Sequence, residues 1–170
     1  MKNTSFVPHK IMTLEQAKHL IASLRLNGKT ISFTNGCFDI LHEGHIASLS
    51  EAASHADFLI VGVNSDASTK RQNKKGPERP INNEHSRALL LASLLVIDAV
   101  IIFDEDTPYN LITTLLPDVL VKGGDYTIEQ IVGAKEVIAN GGQVIITPIV
   151  EGFSTTGIIE KIKGSRQTGL

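Results

Sequence analysis

Short runs of β-branched and aliphatic residues recur along the chain, and between them apolar positions fall three or four residues apart. The runs are TISFTN from Thr30, FLIVGVN from Phe58, AVIIF from Ala99, DVLVKG from Asp118 and QVIITPI from Gln143. Nearly unbroken apolarity within a run of this length marks a strand covered on both faces. Helical patterns start near Glu43, Glu84, Thr107 and Glu129, and a last one starts from Ser154. A further helix spans about Thr13 to Leu26, with Thr13 as N-cap, Gln16 three residues on, and Asn27-Gly28 as its stop. This alternation predicts an α/β fold: a doubly wound, Rossmann-like, five-stranded parallel sheet with helices on both faces.

One stretch fits no element. STKRQNKKGPERPINN, Ser68 to Asn83, is rich in Lys, Arg, Asn, Gly and Pro. It reads either as a solvated surface loop or as a cationic loop, carrying Lys70, Arg71, Lys74, Lys75 and Arg79 with Arg87 beyond it, that overhangs a ligand crevice at the carboxyl edge of the sheet.

Composition narrows the possibilities. The 170 residues, 42% hydrophobic and 20% charged, suit a single domain over the whole of 1–170. A formal net charge of −2 gives no broad basic field, so nucleic acid is not an expected partner and any anion must be met locally. The single cysteine, Cys37, rules out an internal disulfide framework and suits a reducing cytoplasm. Neither a signal peptide nor a bilayer-spanning run is expected.

The candidate chemistry lies in TNGCFDILHEGHIASL, Thr34 to Leu49. His42 and His45 follow the first strand, where open α/β sheets bind ligands. Asn35-Gly36 permits a tight turn, and a helix opening at Gly44-His45 offers N–H groups and a positive dipole end. Two imidazoles there can donate to phosphate oxygens during phosphoryl or nucleotidyl transfer. Zinc ligation fits poorly, because the spacing is i, i+3 and Cys37 is the one thiol. The remaining alternative is structural, with one histidine capping the helix and the other packed. Cys37, beside Phe38, reads as a small apolar residue rather than a nucleophile. Asp39 reads as a helix-entry cap or as a support for the loop. Ser154, Thr155 and Thr156 open the last helix and supply hydroxyl and N–H groups, for a polyphosphate or simply as an N-cap.

GCFDILHEGH resembles the signature of the cytidylyltransferase-like nucleotidyltransferases, with Cys37 where that pattern has threonine, and EGFSTT, 151–156, resembles their second, phosphate-binding motif. FTNGCFDILHEGH, VGVNSDAS, KGPERPIN, DEDTP, PDVLVKGGDY, IVGA and VEGFSTT together resemble the bacterial D-glycero-β-D-manno-heptose 1-phosphate adenylyltransferases, in a form without an attached kinase domain. The glycerol-3-phosphate cytidylyltransferases are the next candidate, but they differ around IVEGFSTT and KGGDY. A non-catalytic nucleotide-binding regulatory module is a third reading.

The resemblance implies a nucleotidyltransferase-type fold and transfer of AMP from ATP to heptose 1-phosphate for surface glycan synthesis. Mg2+ would be held mainly by ATP oxygens and water, with no protein metal site, and the enzyme would be a homodimer. His42, His45 and Lys75 are the expected catalytic residues. Thr34, Asn35, Gly36, Cys37, Phe38, Asp39, Asn64, Lys122, Gly123, Asp125, Ser154, Thr155 and Thr156 are expected to hold ATP. Asp66, Lys74, Arg79 and Arg87 are expected on the acceptor side, the two arginines equally well as surface ion-pair partners. The apolar helix read from Arg87 to Val100 is either a dimer interface or core.

Overall fold

The computed structural model describes residues 5–72, 78–148 and 152–165. In chain order the elements are α1 (Phe6–His9), α2 (Leu14–Leu26), β1 (Ile31–Gly36), α3 (Glu43–Ser54), β2 (Phe58–Asn64), α4 (Asp66–Gln72), α5 (Glu84–Ala92), β3 (Ala99–Phe103), α6 (Tyr109–Leu115), β4 (Val119–Gly123), a 3₁₀ turn (Ile128–Gln130), α7 (Ala134–Ala139), β5 (Gln143–Thr147) and α8 (Thr155–Ser165). The strands form one parallel sheet in the order β3-β2-β1-β4-β5. Strand order reverses between β1 and β4, which makes their carboxyl ends the topological switch point.

Side chains alternate across the sheet, and this alternation builds two cores. Ile31, Phe33, Ile60, Ile101 and Leu120 pack with α2, α6 and α7. Leu59, Val61, Val63, Val100 and Val121 pack with α3 and α5. Beyond β3, the chain before α2 adds a parallel bridge between Ile11 and Val100, which covers that edge. Among the described residues no helix is long and apolar enough to cross a membrane.

Three sequence expectations change. Asp66–Gln72 is helical rather than loop, because Ser65 caps it: Ser68 N donates to Ser65 Oγ at 2.9 Å and Thr69 N to Ser65 O at 3.0 Å. The helix read as Arg87–Val100 ends at Ala92, and Ala99 and Val100 belong to β3. Ala88, Leu91 and Ala92 enter the core, whereas Leu89, Leu90 and Leu95 are exposed. The helix expected near Glu129 splits at Gly133, whose φ of 81° interrupts the helical path, into the 3₁₀ turn and α7. The α2 expectation holds in detail, with a reciprocal capping box between Thr13 and Gln16.

Aspartates hold the amino edge of the sheet by accepting N–H groups at or just before strand starts. Asp57 accepts from Thr30 N at 3.0 Å, Asp98 from Leu59 N and Asp118 from Ile31 N, each of the latter at 2.8 Å. The Thr30 backbone N–H, with Lys29 and the Thr30 hydroxyl, lowers the Asp57 carboxyl from 3.8 to about 2. A depressed folded-state carboxyl contributes stability above its unfolded value and loses it as pH falls through its folded value. The melting-temperature gap between wild type and Asp57→Asn is therefore expected to be full above about pH 4 and to close toward about pH 2. An equal gap at both ends of that range would show that ionisation of Asp57 has no part in it.

Candidate active site

The first strand ends at Gly36, and the chain turns through Phe38, whose φ of 48° lies in the left-handed region. A Cβ at Gly36 would sit 3.1 Å from the Phe38 ring, so glycine lets that ring fold back against the strand. Phe38 is buried, and its ring meets His45 edge-on with centroids 5.4 Å apart. His42 occupies the N-cap position of α3 in extended conformation, with its carbonyl accepting from His45 N and Ile46 N. Its side chain makes no cap bond, so the capping alternative fails for the imidazole.

Three-residue spacing across this helix start brings the two imidazoles together. Their ring centroids are 3.8 Å apart and the planes 24° from parallel. A Cβ at Gly44 would lie 3.2 Å from both the His42 ring and Phe153 Cβ, which is why a glycine stands between the histidines. Nδ1 of each ring is buried. Phe153 stacks beyond His42 at 6.5 Å. The start of α8 thereby joins the same site.

Ser154 Oγ accepts from Gly157 N at 3.0 Å, so the N-cap function expected of the Ser-Thr-Thr run is present. Thr155 is buried, and its hydroxyl donates to Ile40 O at 3.5 Å, which ties the start of α8 to the signature loop. Thr156 and Ser154 are exposed beside it.

Asp39 is a loop support, not a helix cap. Its carboxylate is buried and accepts from Arg79 Nε, from Ile81 N at 2.9 Å and from Asn82 N at 2.8 Å. Asn82 Nδ2 donates back to Asp39 O at 2.6 Å. Arg87, also buried, donates to Cys37 O and Asp66 Oδ1, each at 2.7 Å, and to Asn82 O at 2.9 Å. Arg79 and Arg87, read as acceptor-side residues or as surface ion-pair partners, are ion-paired in the interior rather than at the surface, and Asp66 pairs with Arg87 while its backbone N–H donates to the Glu84 carboxylate. Arg71, counted among the loop cations, pairs outside with Asp104 and Asp106. Lys74, Lys75 and Glu151 lie outside the described residues.

A crevice of about 350 Å³ opens at the switch point, on the α6/α7 side of the sheet. Asn64, Asn35 and Lys122 reach it from the ends of β2, β1 and β4, with Gly36 and Cys37 at its lip. Strand alternation puts these three side chains on the face opposite His42 and His45. Lys122, expected among the ATP-holding residues, lines this crevice from the end of β4. Thr34, Gly123 and Asp125 remain at the carboxyl edge, where Gly123 lies beside Ser48 and Thr147. Tyr126, ahead of the 3₁₀ turn, and Gln130, within it, also line the crevice and were not among the expected site residues; Gln130 fell in what was read as a helix. Among the described residues no three His, Cys, Asp or Glu side chains cluster as metal ligands.

The cytidylyltransferase-like family model matches residues 33–161, which include most of β1, both histidines and most of α8. The chain belongs to that family. The fold agrees: a pantoate-β-alanine ligase from Francisella tularensis, 17% identical, superposes with a TM-score of 0.58 over 90% of this chain and 76% of that one. A lipopolysaccharide core biosynthesis protein from Thermoplasma volcanium is 33% identical, with a TM-score of 0.57 over 72% of this chain and 98% of that one. Among curated proteins, the bifunctional protein HldE of Rhodospirillum rubrum is 50% identical over 161 residues, 94% of this chain and 32% of that protein. The HldE protein of Hyphomonas neptunium is 59% identical over 137 residues, 81% of this chain and 28% of that protein. The chain spans about a third of the length of these curated relatives.

Removing one partner of a buried ion pair leaves the other charge without compensation, at about 3–5 kcal/mol. Asp39→Ala is expected to lower stability by that order, read as a fall in the urea midpoint. A cost below about 1 kcal/mol would show that Arg79 finds water in its place. Gly44→Ala is expected to keep the fold, since alanine favours helix, yet to displace His42. An unchanged His42 imidazole environment by NMR would refute that displacement.

Proposed function

We propose that the chain transfers AMP from ATP to the phosphate of D-glycero-β-D-manno-heptose 1-phosphate, yielding ADP-heptose and pyrophosphate. The observation that carries this reading is the stacked His42–His45 pair beside the start of α8, in a chain 50–59% identical to segments of HldE proteins. An acceptor phosphate is anionic near neutral pH and needs no general base. One of its oxygens forms the new bond to the α-phosphorus, and the bond from that phosphorus to the α,β-bridging oxygen breaks with its electron pair leaving on pyrophosphate. The protein's task is to align two polyanions and to meet charge at the five-coordinate phosphorus.

In this reading His42 and His45 donate to the α-phosphate and the leaving oxygen. The N–H groups at the start of α8, with Ser154, Thr155 and Thr156, receive the β- and γ-phosphates. Asp39, Arg79 and Arg87 act through the backbone by fixing the loop that carries the histidines. Gly123 lets the nucleoside approach β4 closely, and Asp125 accepts from ribose hydroxyls. Lys75 and Lys74 serve as point charges on the reacting phosphates. Mg2+ arrives with ATP and is held mostly by phosphate oxygens and water. A homodimer and a cytoplasmic site of action belong to the same proposal, and light scattering on the purified chain tests the first.

The decisive assay is pyrophosphate release with ATP or CTP against heptose 1-phosphate or glycerol 3-phosphate. ATP with the heptose phosphate is expected to turn over, and His45→Ala to lower the rate roughly 100-fold to 1,000-fold. Turnover confined to CTP and glycerol phosphate would instead support a cytidylyltransferase. ATP binding with no release for any pair would support a regulatory module.

A further inference from the structure

We propose that the hydroxyls of Thr147 and Ser48 read the base of the nucleotide, which makes these two side chains specificity-determining residues on the α3 side of the sheet. The inference rests on ATP being the nucleotide of the transfer proposed above. It concerns the part of ATP that the histidines, the start of α8 and Asp125 leave unmet. Thr147 ends β5 in register with Gly123 at the end of β4, and Gly124 N donates to Thr147 O at 3.0 Å. Strand alternation turns position 123 and the Thr147 side chain to the face where Val121 and Ile145 pack, which is the α3 side. Ser48 reaches the same place from α3, three residues past His45. Three residues of helix rise about 4.5 Å, the scale of the ribose that separates a base from its α-phosphate.

Gly123 is exposed, and a Cβ built on it would lie 3.4 Å from Thr147 Oγ1 and 3.6 Å from Ser48 Oγ, the two atoms nearest to it. A ligand atom at that position needs only a small further approach to hydrogen-bond both oxygens. The absent side chain therefore leaves a notch walled by hydroxyls. Thr147 is 3% exposed, and its hydroxyl bonds to no described residue. A hydroxyl in that state has given up its bonds to water and received nothing in return, so it lowers the stability of the empty protein. A ligand that supplies the missing partner recovers the loss. Neither Thr147 nor Ser48 carries a charge, which suits a neutral base better than a phosphate. A hydroxyl both donates and accepts, and the edge of adenine sets an amine beside a ring nitrogen and so offers both roles.

Calorimetric binding to the purified chain, with Mg2+ present, tests this without turnover. Thr147→Val keeps the side-chain shape and removes the hydroxyl. It is expected to weaken ATP roughly threefold to tenfold, as loss of one hydrogen bond does, and to leave ribose 5-triphosphate and tripolyphosphate, which have no base, within about twofold. Ser48→Ala is expected to follow the same ligand pattern. Because valine removes an unpaired hydroxyl, the urea midpoint of ligand-free Thr147→Val should equal or exceed that of wild type. A lower midpoint would assign the hydroxyl to the fold and overturn the proposal. Unchanged ATP affinity, or equal weakening of all three ligands, would overturn it as well. Gly123→Ala is the second variant: its methyl meets Thr147 Oγ1 at an ordinary contact distance, so the fold is expected to hold while the notch is filled. ATP affinity should then fall with ribose 5-triphosphate spared, and an alanine that ATP tolerates would show that no base enters the notch. Failure of the wild type to bind ATP would overturn this inference and adenylyl transfer together. Thr147-dependent ATP binding with no pyrophosphate release would keep the base contact and overturn only the transfer.

Discussion

A carboxylate withdrawn from water on a loop has to be met by donors from somewhere, and for Asp39 they come from residues 40 and more positions away. Arg79, Ile81 and Asn82 surround it, and Asn82 returns a bond to the Asp39 carbonyl. Arg87 extends the arrangement by holding Cys37 O with one guanidinium nitrogen and Asp66 with another. The desolvation cost of such buried pairs offsets most of their attraction, so their net contribution to stability is small. Their effect is on shape. They tie the β1–α3 loop to residues 79–87, and that path sets the entry of α3 and therefore the position of both histidines.

The sheet then divides the chemistry by a property of strands alone. Adjacent residues on a strand point to opposite faces. Gly36 and its neighbour Asn35 consequently look toward different sides, and the loop that continues from Gly36 delivers Phe38, His42 and His45 to the α3 side, whereas Asn35, Asn64 and Lys122 serve the crevice. Because β1 and β4 lie side by side with their crossovers on opposite faces, the edge between them is open from both directions.

How much of this was legible in the sequence follows from the range of the interactions. The five strands were readable because buried parallel strands are apolar on both faces, and the α2 boundaries because Thr13, Gln16 and Gly28 act within one turn. The histidine pair was readable because three-residue spacing around a glycine is a local constraint. The fate of Arg79 and Arg87 was not, since only the fold brings Asp39 and Asp66 to them. Helix α4 was hidden because DASTKRQ lacks an apolar stripe, and its support comes from Ser65 and from contacts to residues 104–106. The end of α5 was hidden for the opposite reason: leucines run on past Ala92 with no glycine or proline to mark the turn.

Phe38 shows how a local cost at the site is carried by the core. A non-glycine residue in the left-handed region costs about 1–2 kcal/mol, and nothing in the backbone there forces a phenylalanine. Burying a ring of this size contributes about 1.5–3 kcal/mol, and Phe38 is 8% exposed within the α3/α5 core. The two magnitudes are comparable, so the strained turn holds only while the ring stays buried. The same ring supports His45 edge-on. A smaller apolar residue at position 38 would lose the burial and keep the strain, and the loop would relax away from the geometry that stacks the histidines. The aromatic residue in the signature is therefore explained by packing that fixes backbone shape.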